Sequence, residues 1–336
     1  MTRAVHADEA VLTQERPVEA EPQADETIGV LLMAYGNPDS LEDVKAYYTH
    51  IRGGRVPSRD QVEDLERRYR CIGGRSPLLE ITWEQAWALE ERLNAAGDRF
   101  RVYIGMKHWH PFIAETVEEI AADGVYRVVA LALAPHYSRM SVGGYIEAVR
   151  AAKKQLKTRL NLSFVTSWND HPRFLRAVAE VVEDALLYFP EPVRDRVPIV
   201  FTAHSLPERI LAEGDPYPRE LLETCEGVAE LLGLAAWQFA YQSAGHTPEP
   251  WLGPDILEVL EELSQADHHH VLIVPVGFVA DHLEILYDID VECQERAKEL
   301  EMQLRRTESM NTRPTFIAAL AAVVREHLNR DRSAPR

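Results

Sequence analysis

Residues 28–34 read IGVLLMA, an uninterrupted apolar run, and the polar turn YGNPD follows at 35–39. A helical pattern begins after Ser40. A short, continuously apolar run that ends in a polar turn is typical of a strand covered on both faces. Strand, polar turn and helix in this order predict the first β–α unit of a parallel sheet.

The same alternation of apolar runs and helical patterns continues along the chain. Further strands are predicted at 101–106, 127–133, 162–167, 198–202, 237–242 and 270–276. Helices are predicted at about 59–70, 81–96, 112–123, 141–157, 172–187, 218–232, 255–265, 281–302 and 315–329. This alternation predicts an α/β fold of two Rossmann-like domains, 27–170 and 171–310, with parallel sheets and a cleft between them.

The composition excludes several classes of protein. The 336 residues include 36 Lys and Arg against 54 Asp and Glu, a net charge of −18. This charge argues against a nucleic-acid-binding protein and against a protein that basic patches hold on anionic lipid. The longest uncharged apolar run, Val271 to Ala280, is too short for a membrane span. Three scattered cysteines exclude an all-cysteine Fe–S cluster and indicate the cytoplasm. Residues 1–26 are predicted to be a disordered acidic tail.

Residues with polar or ionisable side chains follow three of the predicted strands, and the first of these strand ends is YGNP at 35–38. His204 leaves the strand that opens the second half, and Glu284 follows the last strong strand within GFVADHLE, residues 277–284. Ligands of open parallel sheets bind beyond the carboxyl ends of the strands, so these residues are candidates for a functional site. A loop histidine bonded to backbone remains an equally good interpretation of His204 on position alone.

Acidic residues recur every four positions at Glu284, Asp288 and Glu292. On one helix they form a single stripe that a divalent cation could bridge. By spacing alone, a solvated acidic face is the favoured interpretation.

Longer motifs resemble the ferrochelatases, which insert Fe(II) into a porphyrin. The segments that carry the resemblance lie at 34–38, 69–77, 133–138, 201–207, 250–255 and 281–290. The resemblance covers about residues 28–328 and implies a chelatase-like fold whose C-terminal helix, 311–330, packs on the first domain. Ala244 departs from it, since the family often has arginine there.

The resemblance implies catalytic roles for His204 and Glu284. His204 is expected to accept a proton and contact the metal, and Glu284 to accept a proton or hold Fe(II) on its way. Asp288 and Glu292 then form a carboxylate path that leads outward, for which Mg²⁺ is a candidate occupant. Fe(II) enters as substrate.

The resemblance also implies the residues that bind the porphyrin. Tyr35 is expected as an axial contact to the inserted iron on the opposite face of the ring. Arg52, Ser76 and Tyr145 are candidate partners for the propionates. Arg52 stands in a glycine-bearing loop where the family often has two basic residues.

The stretch around Tyr35 and the polar segment 45–70 resemble the soluble type that uses coproporphyrin III and makes coproheme. A protoporphyrin IX ferrochelatase, another tetrapyrrole metal chelatase and a non-catalytic coproheme carrier stay open as alternatives. The joint presence of His204 and Glu284 favours an enzyme. We expect a cytoplasmic monomer whose protein partners are other enzymes of the haem pathway.

Overall fold

The computed structural model describes residues 27–245 and 247–333. The predicted acidic tail, residues 1–26, lies outside the described residues. The strands are β1 (Ile28–Ala34), β2 (Phe100–Met106), β3 (Arg127–Ala132), β4 (Asn161–Val165), β5 (Ile199–His204), β6 (Gln238–Gln242), β7 (His270–Val274) and β8 (Gln303–Arg306).

The helices of the described residues alternate with these strands. They are α1 (Val44–Ile51), α2 (Arg59–Cys71), α3 (Leu78–Asn94), α4 (Ile113–Ala122), α5 (Gly144–Leu156), α6 (Pro172–Leu186), α7 (Glu191–Arg194), α8 (Arg209–Ala212), α9 (Tyr217–Leu232), α10 (Ile256–Gln265), α11 (Leu283–Leu286), α12 (Gln294–Glu299) and α13 (Pro314–Ser333). A 3-10 turn, Leu41–Asp43, precedes α1, and π-helical segments span Arg139–Gly143 and Asp288–Cys293.

The strands form two parallel sheets. Four strands in the order β2-β1-β3-β4 make the first sheet, and four in the order β6-β5-β7-β8 make the second. In β1 alternate side chains enter different cores, since Leu32 belongs to one apolar cluster and Leu31 to another. Burial on both faces explains why β1 reads as a continuous apolar run. The predicted α/β class with two parallel sheets is confirmed.

Helices α6 and α13 contribute to an apolar core that the two sheets share. Phe174 of α6 and Phe316 of α13 belong to the same apolar cluster as Leu32 of β1 and Phe201 of β5. Helix α13 packs mainly on α6 and α3. Within the described residues, no helix is long and apolar enough to cross a membrane.

The prediction of one helix over 281–302 was wrong. The chain forms the short helix α11, a π-helical segment and then α12, and it enters strand β8 at Gln303. In the π-helical segment the Glu292 amide donates to the Tyr287 carbonyl, five residues back, at 3.0 Å. Apolar periodicity barely distinguishes this widened turn from an α-helix. Strand β8 was missed because Leu304 is its one buried residue.

A buried carboxylate joins the loop after β3 to the start of α9. Asp215 accepts hydrogen bonds from the Ser138 hydroxyl at 3.0 Å, the Arg139 amide at 2.8 Å and the Tyr217 amide at 3.0 Å. We expect Asp215→Ala to lower the free energy of unfolding by about 3 kcal/mol, because buried donors lose their acceptor. Urea unfolding measures this.

The exposed Asp98, which pairs with Arg325 at 2.7 Å, supplies the control for that measurement. Asp98→Ala is expected to cost under about 1 kcal/mol, as exposed ion pairs do. Equal losses in the two variants would contradict a special role for the Asp215 contacts.

Candidate active site

A cavity of about 560 Å³ opens beyond the carboxyl ends of the central strands of both sheets. Tyr35, which follows β1, and His204, which ends β5, both line it. Of the predicted site residues, the cavity wall contains Tyr35, Ser76, Tyr145, His204 and Glu284. Strand-end residues of both sheets therefore meet in one space, as expected for ligand sites of parallel sheets.

One backbone carbonyl orients the His204 imidazole, and a second hydrogen bond holds the backbone of the same residue. Its Nδ1 contacts the Ser205 carbonyl oxygen, and its own carbonyl accepts a hydrogen bond from the Tyr217 hydroxyl at 3.0 Å. A nitrogen next to a carbonyl must carry the hydrogen, so neutral His204 has its lone pair on Nε2. Nε2 lies 3.7 Å from Glu284 Oε1, which leaves the proton-accepting nitrogen on the cavity side.

The Glu284 carboxylate lies between two imidazoles. Its Oε2 is 3.5 Å from His282 Nε2, and its Oε1 faces His204. Burial raises the pKa of Glu284, but the charges of His204, His282 and Arg68 and the His282 hydrogen bond together lower it to about 2. Glu284 is therefore an anion throughout the physiological range.

The His282 ring interacts with the negative charge of the Glu284 carboxylate. Its Nδ1 contacts the Ala280 carbonyl oxygen at 2.9 Å. Burial lowers the pKa of His282, yet its hydrogen bond and charge interaction with Glu284 raise the pKa above its ordinary value. His282 lies in the segment 281–290 that carries the family resemblance, but the sequence predicts no role for it. Its contact with Glu284 appears only in the folded chain.

Asp288 and Glu292 lie outside the cavity wall, in the π-helical segment. Asp288 is buried and accepts a hydrogen bond from the Ser243 hydroxyl. Burial, followed by the charge of Glu284, raises the pKa of Asp288 to about 7. Across the described ranges, no group of three His, Cys, Asp or Glu side chains is arranged to hold a metal ion. The carboxylates are therefore separate positions rather than one preformed metal centre.

Tyr35 brings a phenol into the cavity from the first sheet. Its ring centroid lies 4.5 Å from that of His108, another residue of the cavity wall. Burial first, and the charge of Glu284 second, raise the pKa of Tyr35 well above its usual value. The phenol therefore stays protonated at neutral pH.

Sequence reasoning missed Lys107. It follows β2, and among the described residues of the cavity wall it is the one Lys or Arg. Its Nζ donates to the Met140 carbonyl at 3.2 Å and lies 5.2 Å from the Tyr145 ring centroid. Burial lowers the pKa of the Lys107 amine, with partial compensation by Glu147. Its position at a strand end was the signal that could have found it.

Of the three predicted partners for the propionates, Ser76 and Tyr145 line the cavity and Arg52 does not. Ser76 is buried in the cavity wall, and its hydroxyl oxygen accepts from the Leu78 amide at 3.3 Å. Tyr145 is also buried there. Arg52 is not brought into the cavity wall, since its guanidinium donates to the Gln61 side chain at 3.2 Å.

His136 is a further histidine of the cavity wall. Its Nε2 contacts the Thr224 hydroxyl at 2.9 Å, and burial lowers the pKa of the ring to about 3. It is therefore neutral at physiological pH. With one ring nitrogen bonded to Thr224, it is a poorer proton acceptor than His204.

Comparison with known proteins agrees with this geometry. The Ferrochelatase family model matches residues 27–328. A protein named ferrochelatase from Herpetosiphon aurantiacus is 49% identical over 296 residues, covering 88% of this chain and 97% of its own. A coproporphyrin III ferrochelatase from Geobacillus kaustophilus is 47% identical and covers 89% of this chain and 95% of its own.

The fold has a counterpart among solved chelatases. The sirohydrochlorin chelatase SirB from Bacillus subtilis subspecies spizizenii, solved in complex with cobalt, superposes with a TM-score of 0.52 at 13% identity. The match covers 90% of this chain and 95% of that one, and it confirms the expected chelatase-like fold. With the family match over residues 27–328 and an ionised carboxylate beside an oriented imidazole in the cavity, the chain belongs to the ferrochelatase family, the enzymes of haem biosynthesis that insert iron into a porphyrin.

Proposed function

We propose that this enzyme inserts Fe(II) into coproporphyrin III to give coproheme. The observation that carries the insertion chemistry is the His204–Glu284 pair on the wall of a cavity that both sheets line. The relative from Geobacillus kaustophilus, named for coproporphyrin III, supports the choice of porphyrin. An anoxic assay with both porphyrins, described at the end of the Discussion, tests the proposal.

We propose His204 as the proton acceptor. Metal insertion releases the two pyrrole N–H protons, and the neutral form of an imidazole with a free Nε2 can take them one after the other, passing the first to water before it takes the second. The Ser205 carbonyl holds Nδ1 protonated, so Nε2 is the available nitrogen. A proton on Nε2 is stabilised by the Glu284 carboxylate 3.7 Å away.

For Glu284 we propose the role of holding the incoming Fe(II) rather than taking a proton. A carboxylate whose pKa lies at about 2 is a weak base near neutral pH but remains a full negative charge. Carboxylate oxygen and imidazole nitrogen are both acceptable ligands for Fe(II). Nε2 of His204 has one lone pair, so it would contact the metal only until the metal passes to the ring and would take up a proton afterwards, while Glu284 holds the metal on its way.

We propose that Asp288 and Glu292 form the carboxylate path that leads cations toward Glu284. The support is their order along the π-helical segment that follows α11, together with the burial of Asp288. Mg²⁺ usually keeps several waters and binds through one or two carboxylates, so this chemistry suits a hydrated Mg²⁺ there as well.

Removing both path carboxylates, by Asp288→Ala with Glu292→Ala, is expected to raise the KM for Fe(II) about tenfold. The KM for porphyrin should stay near its original value, because neither side chain lines the cavity. Steady-state kinetics with each substrate varied in turn measures both constants. An unchanged KM for Fe(II) would contradict a role of these carboxylates in leading the metal inward.

Four side chains of the cavity wall are proposed to bind the porphyrin. Tyr35 would contact the inserted iron, while Ser76, Tyr145 and Lys107 would receive propionates. Coproporphyrin III carries more carboxylates than protoporphyrin IX, so the positive charge of Lys107 in the cavity wall favours it.

Substituting Lys107→Met is expected to raise the KM for coproporphyrin III about tenfold, because a charged hydrogen bond to a propionate is lost. The KM for protoporphyrin IX should rise less. Lys45→Met on the exposed face of α1 is the control and should change neither constant. An unaltered KM for coproporphyrin III in the Lys107 variant would remove Lys107 from the substrate site.

We also propose a division of the chain into domains at 27–170 and 171–310, with α13 added to the first. The two separate sheets and the packing of α13 on α3 support it. We propose the cytoplasm as the location, on the few scattered cysteines.

A further inference from the structure

One asparagine from a later part of the chain holds the loop that leads to Glu284. This loop spans residues 275–282, between β7 and α11, and Asn311 lies between β8 and α13. The Asp281 amide donates to Asn311 Oδ1 at 2.9 Å, and Asn311 Nδ2 donates to Asp281 Oδ2 at 2.8 Å. The two residues therefore form a reciprocal pair of hydrogen bonds, three positions before Glu284.

Backbone contacts of Asn311 extend this attachment to helix α3. The Asn311 amide donates to the Val279 carbonyl at 3.0 Å. Gln85 of α3 is fully buried, and its Nε2 donates to the carbonyls of Asn311 at 2.8 Å and Val279 at 3.4 Å. Asn311 thus joins a loop of the second sheet to a helix that packs on the first.

The conformation and contacts at position 311 suit asparagine. Its φ of 41° lies in the left-handed region, where asparagine is favoured among residues other than glycine. One amide side chain can accept from a backbone amide and donate to a carboxylate at the same time. Asp281 is held from its other side by the Ser309 hydroxyl at 2.8 Å and the Arg306 guanidinium at 3.1 Å. Its carboxylate is therefore fixed where Asn311 meets it.

The position of Asp281 determines the position of the residues that follow it. The amides of Ile285 and Leu286 donate to the His282 carbonyl at 3.1 Å and 2.9 Å, so the first turn of α11 begins on the residue next to Asp281. Glu284 belongs to this turn, and its Oε2 lies 3.5 Å from His282 Nε2. A displacement of Asp281 therefore reaches Glu284 within one helical turn.

We propose that Asn311 is a positioning residue for metal insertion, whose side chain fixes Asp281 and thereby places the Glu284 carboxylate opposite His204. The inference rests on the proposed function, because it takes Glu284 as the group that holds Fe(II). Asn311 is not part of the cavity wall and acts only through the loop. Its effect on the reaction follows from geometry, since a displacement of about 1 Å at a reacting group can cost about 10²-fold in rate.

The test compares Asn311→Gly with Asn94→Gly. Glycine at 311 keeps the left-handed backbone and removes both side-chain hydrogen bonds. We expect kcat/KM for Fe(II) to fall about tenfold, because Glu284 is no longer held in place. The affinity of the porphyrin-free enzyme for Co²⁺, measured by calorimetry, should fall in parallel.

Asn94 supplies the matched control. Its side chain also makes a reciprocal pair, with the Phe100 carbonyl at 3.0 Å and the Phe100 amide at 2.7 Å, but at the end of α3 that lies away from the cavity. Asn94→Gly should leave kcat/KM for Fe(II) and the Co²⁺ affinity unchanged. If either value is unchanged in Asn311→Gly, or if both fall equally in Asn94→Gly, the proposal is overturned.

Exchanging the two side chains tests the pair without removing it. Asn311→Asp alone sets two carboxylates against each other. Asp281→Asn alone turns an amide nitrogen toward either Asn311 Nδ2 or the Arg306 guanidinium, so each single change should lower kcat/KM for Fe(II). The double variant restores one donor and one acceptor in reversed order and should recover most of the original value. It also serves if Asn311→Gly fails to fold, and a double variant no better than the single ones would contradict the proposal.

Glu284→Gln separates a failure of this inference from a failure of the proposed function. If Glu284→Gln lowers kcat/KM for Fe(II) while the Asn311 variants do not, Glu284 still holds the metal and only the role of Asn311 is wrong. If Glu284→Gln changes nothing, the role of Glu284 is wrong, and the role of Asn311 falls with it.

Discussion

Replacing His204 by alanine is expected to slow iron insertion about 10³-fold while porphyrin binding remains measurable. The loss follows from the geometry, because Nε2 of His204 is the nitrogen that the Ser205 contact leaves free to accept a proton. Glu284, with its pKa at about 2, cannot take over that role near neutral pH. His136 cannot replace it either, because burial lowers its pKa to about 3.

Rates are measured under anoxic conditions from the absorption change of the porphyrin, and binding from quenching of protein fluorescence. His110→Ala is the matched control. His110 is exposed, its Nδ1 lies 3.0 Å from Glu115 Oε1, and it is not part of the cavity wall. It should retain the original rate. Turnover of the His204 variant close to that of the control would remove His204 from the mechanism.

The Glu284→Gln substitution is expected to lower kcat/KM for Fe(II) about 10²- to 10³-fold, because an amide keeps the shape but removes the negative charge that holds the metal. It should also lower the pKa of His282, since the hydrogen bond and charge of Glu284 are what raise it. Histidine resonances followed by NMR against pH report that second effect independently of turnover.

The control for this substitution is Glu249→Gln, an exposed carboxylate that pairs with Arg209 at 3.1 Å. Its loss should leave insertion and the His282 pKa unchanged. If the Glu284 variant keeps the original KM for Fe(II), the metal is not held at Glu284. An unshifted His282 pKa would contradict the described pairing of the two side chains.

The apolar runs were sufficient to predict seven of the eight described strands, because the central strands β1, β3, β5 and β7 are buried on both faces. Strand β1 was predicted with its observed bounds, 28–34. Strand β8 was missed because only Leu304 is buried in it. The π-helical segment was missed because its side-chain period lies close to that of an α-helix.

Some of the functional residues could likewise be predicted from a local pattern, and others could not. His204 and Glu284 were identified because each follows a strand, and strand ends in parallel sheets share one edge. Arg68 lies 3.8 Å from Asp288, 220 positions later in the chain, a contact that no local pattern reveals. Lys107 was missed for a different reason, since one basic residue in an acidic chain carries no compositional signal. Arg52 was selected by the resemblance, yet its side chain bonds to Gln61 beside the cavity rather than lining it.

The central claim is that this enzyme inserts Fe(II) into a porphyrin and prefers coproporphyrin III. The direct measurement is anoxic incubation of the full chain with Fe(II) and either coproporphyrin III or protoporphyrin IX, followed by absorption spectroscopy. We expect enzyme-dependent conversion of coproporphyrin III to coproheme, with a higher kcat/KM than for protoporphyrin IX. An absence of conversion with either porphyrin would contradict iron insertion, and a higher kcat/KM for protoporphyrin IX would contradict the proposed substrate.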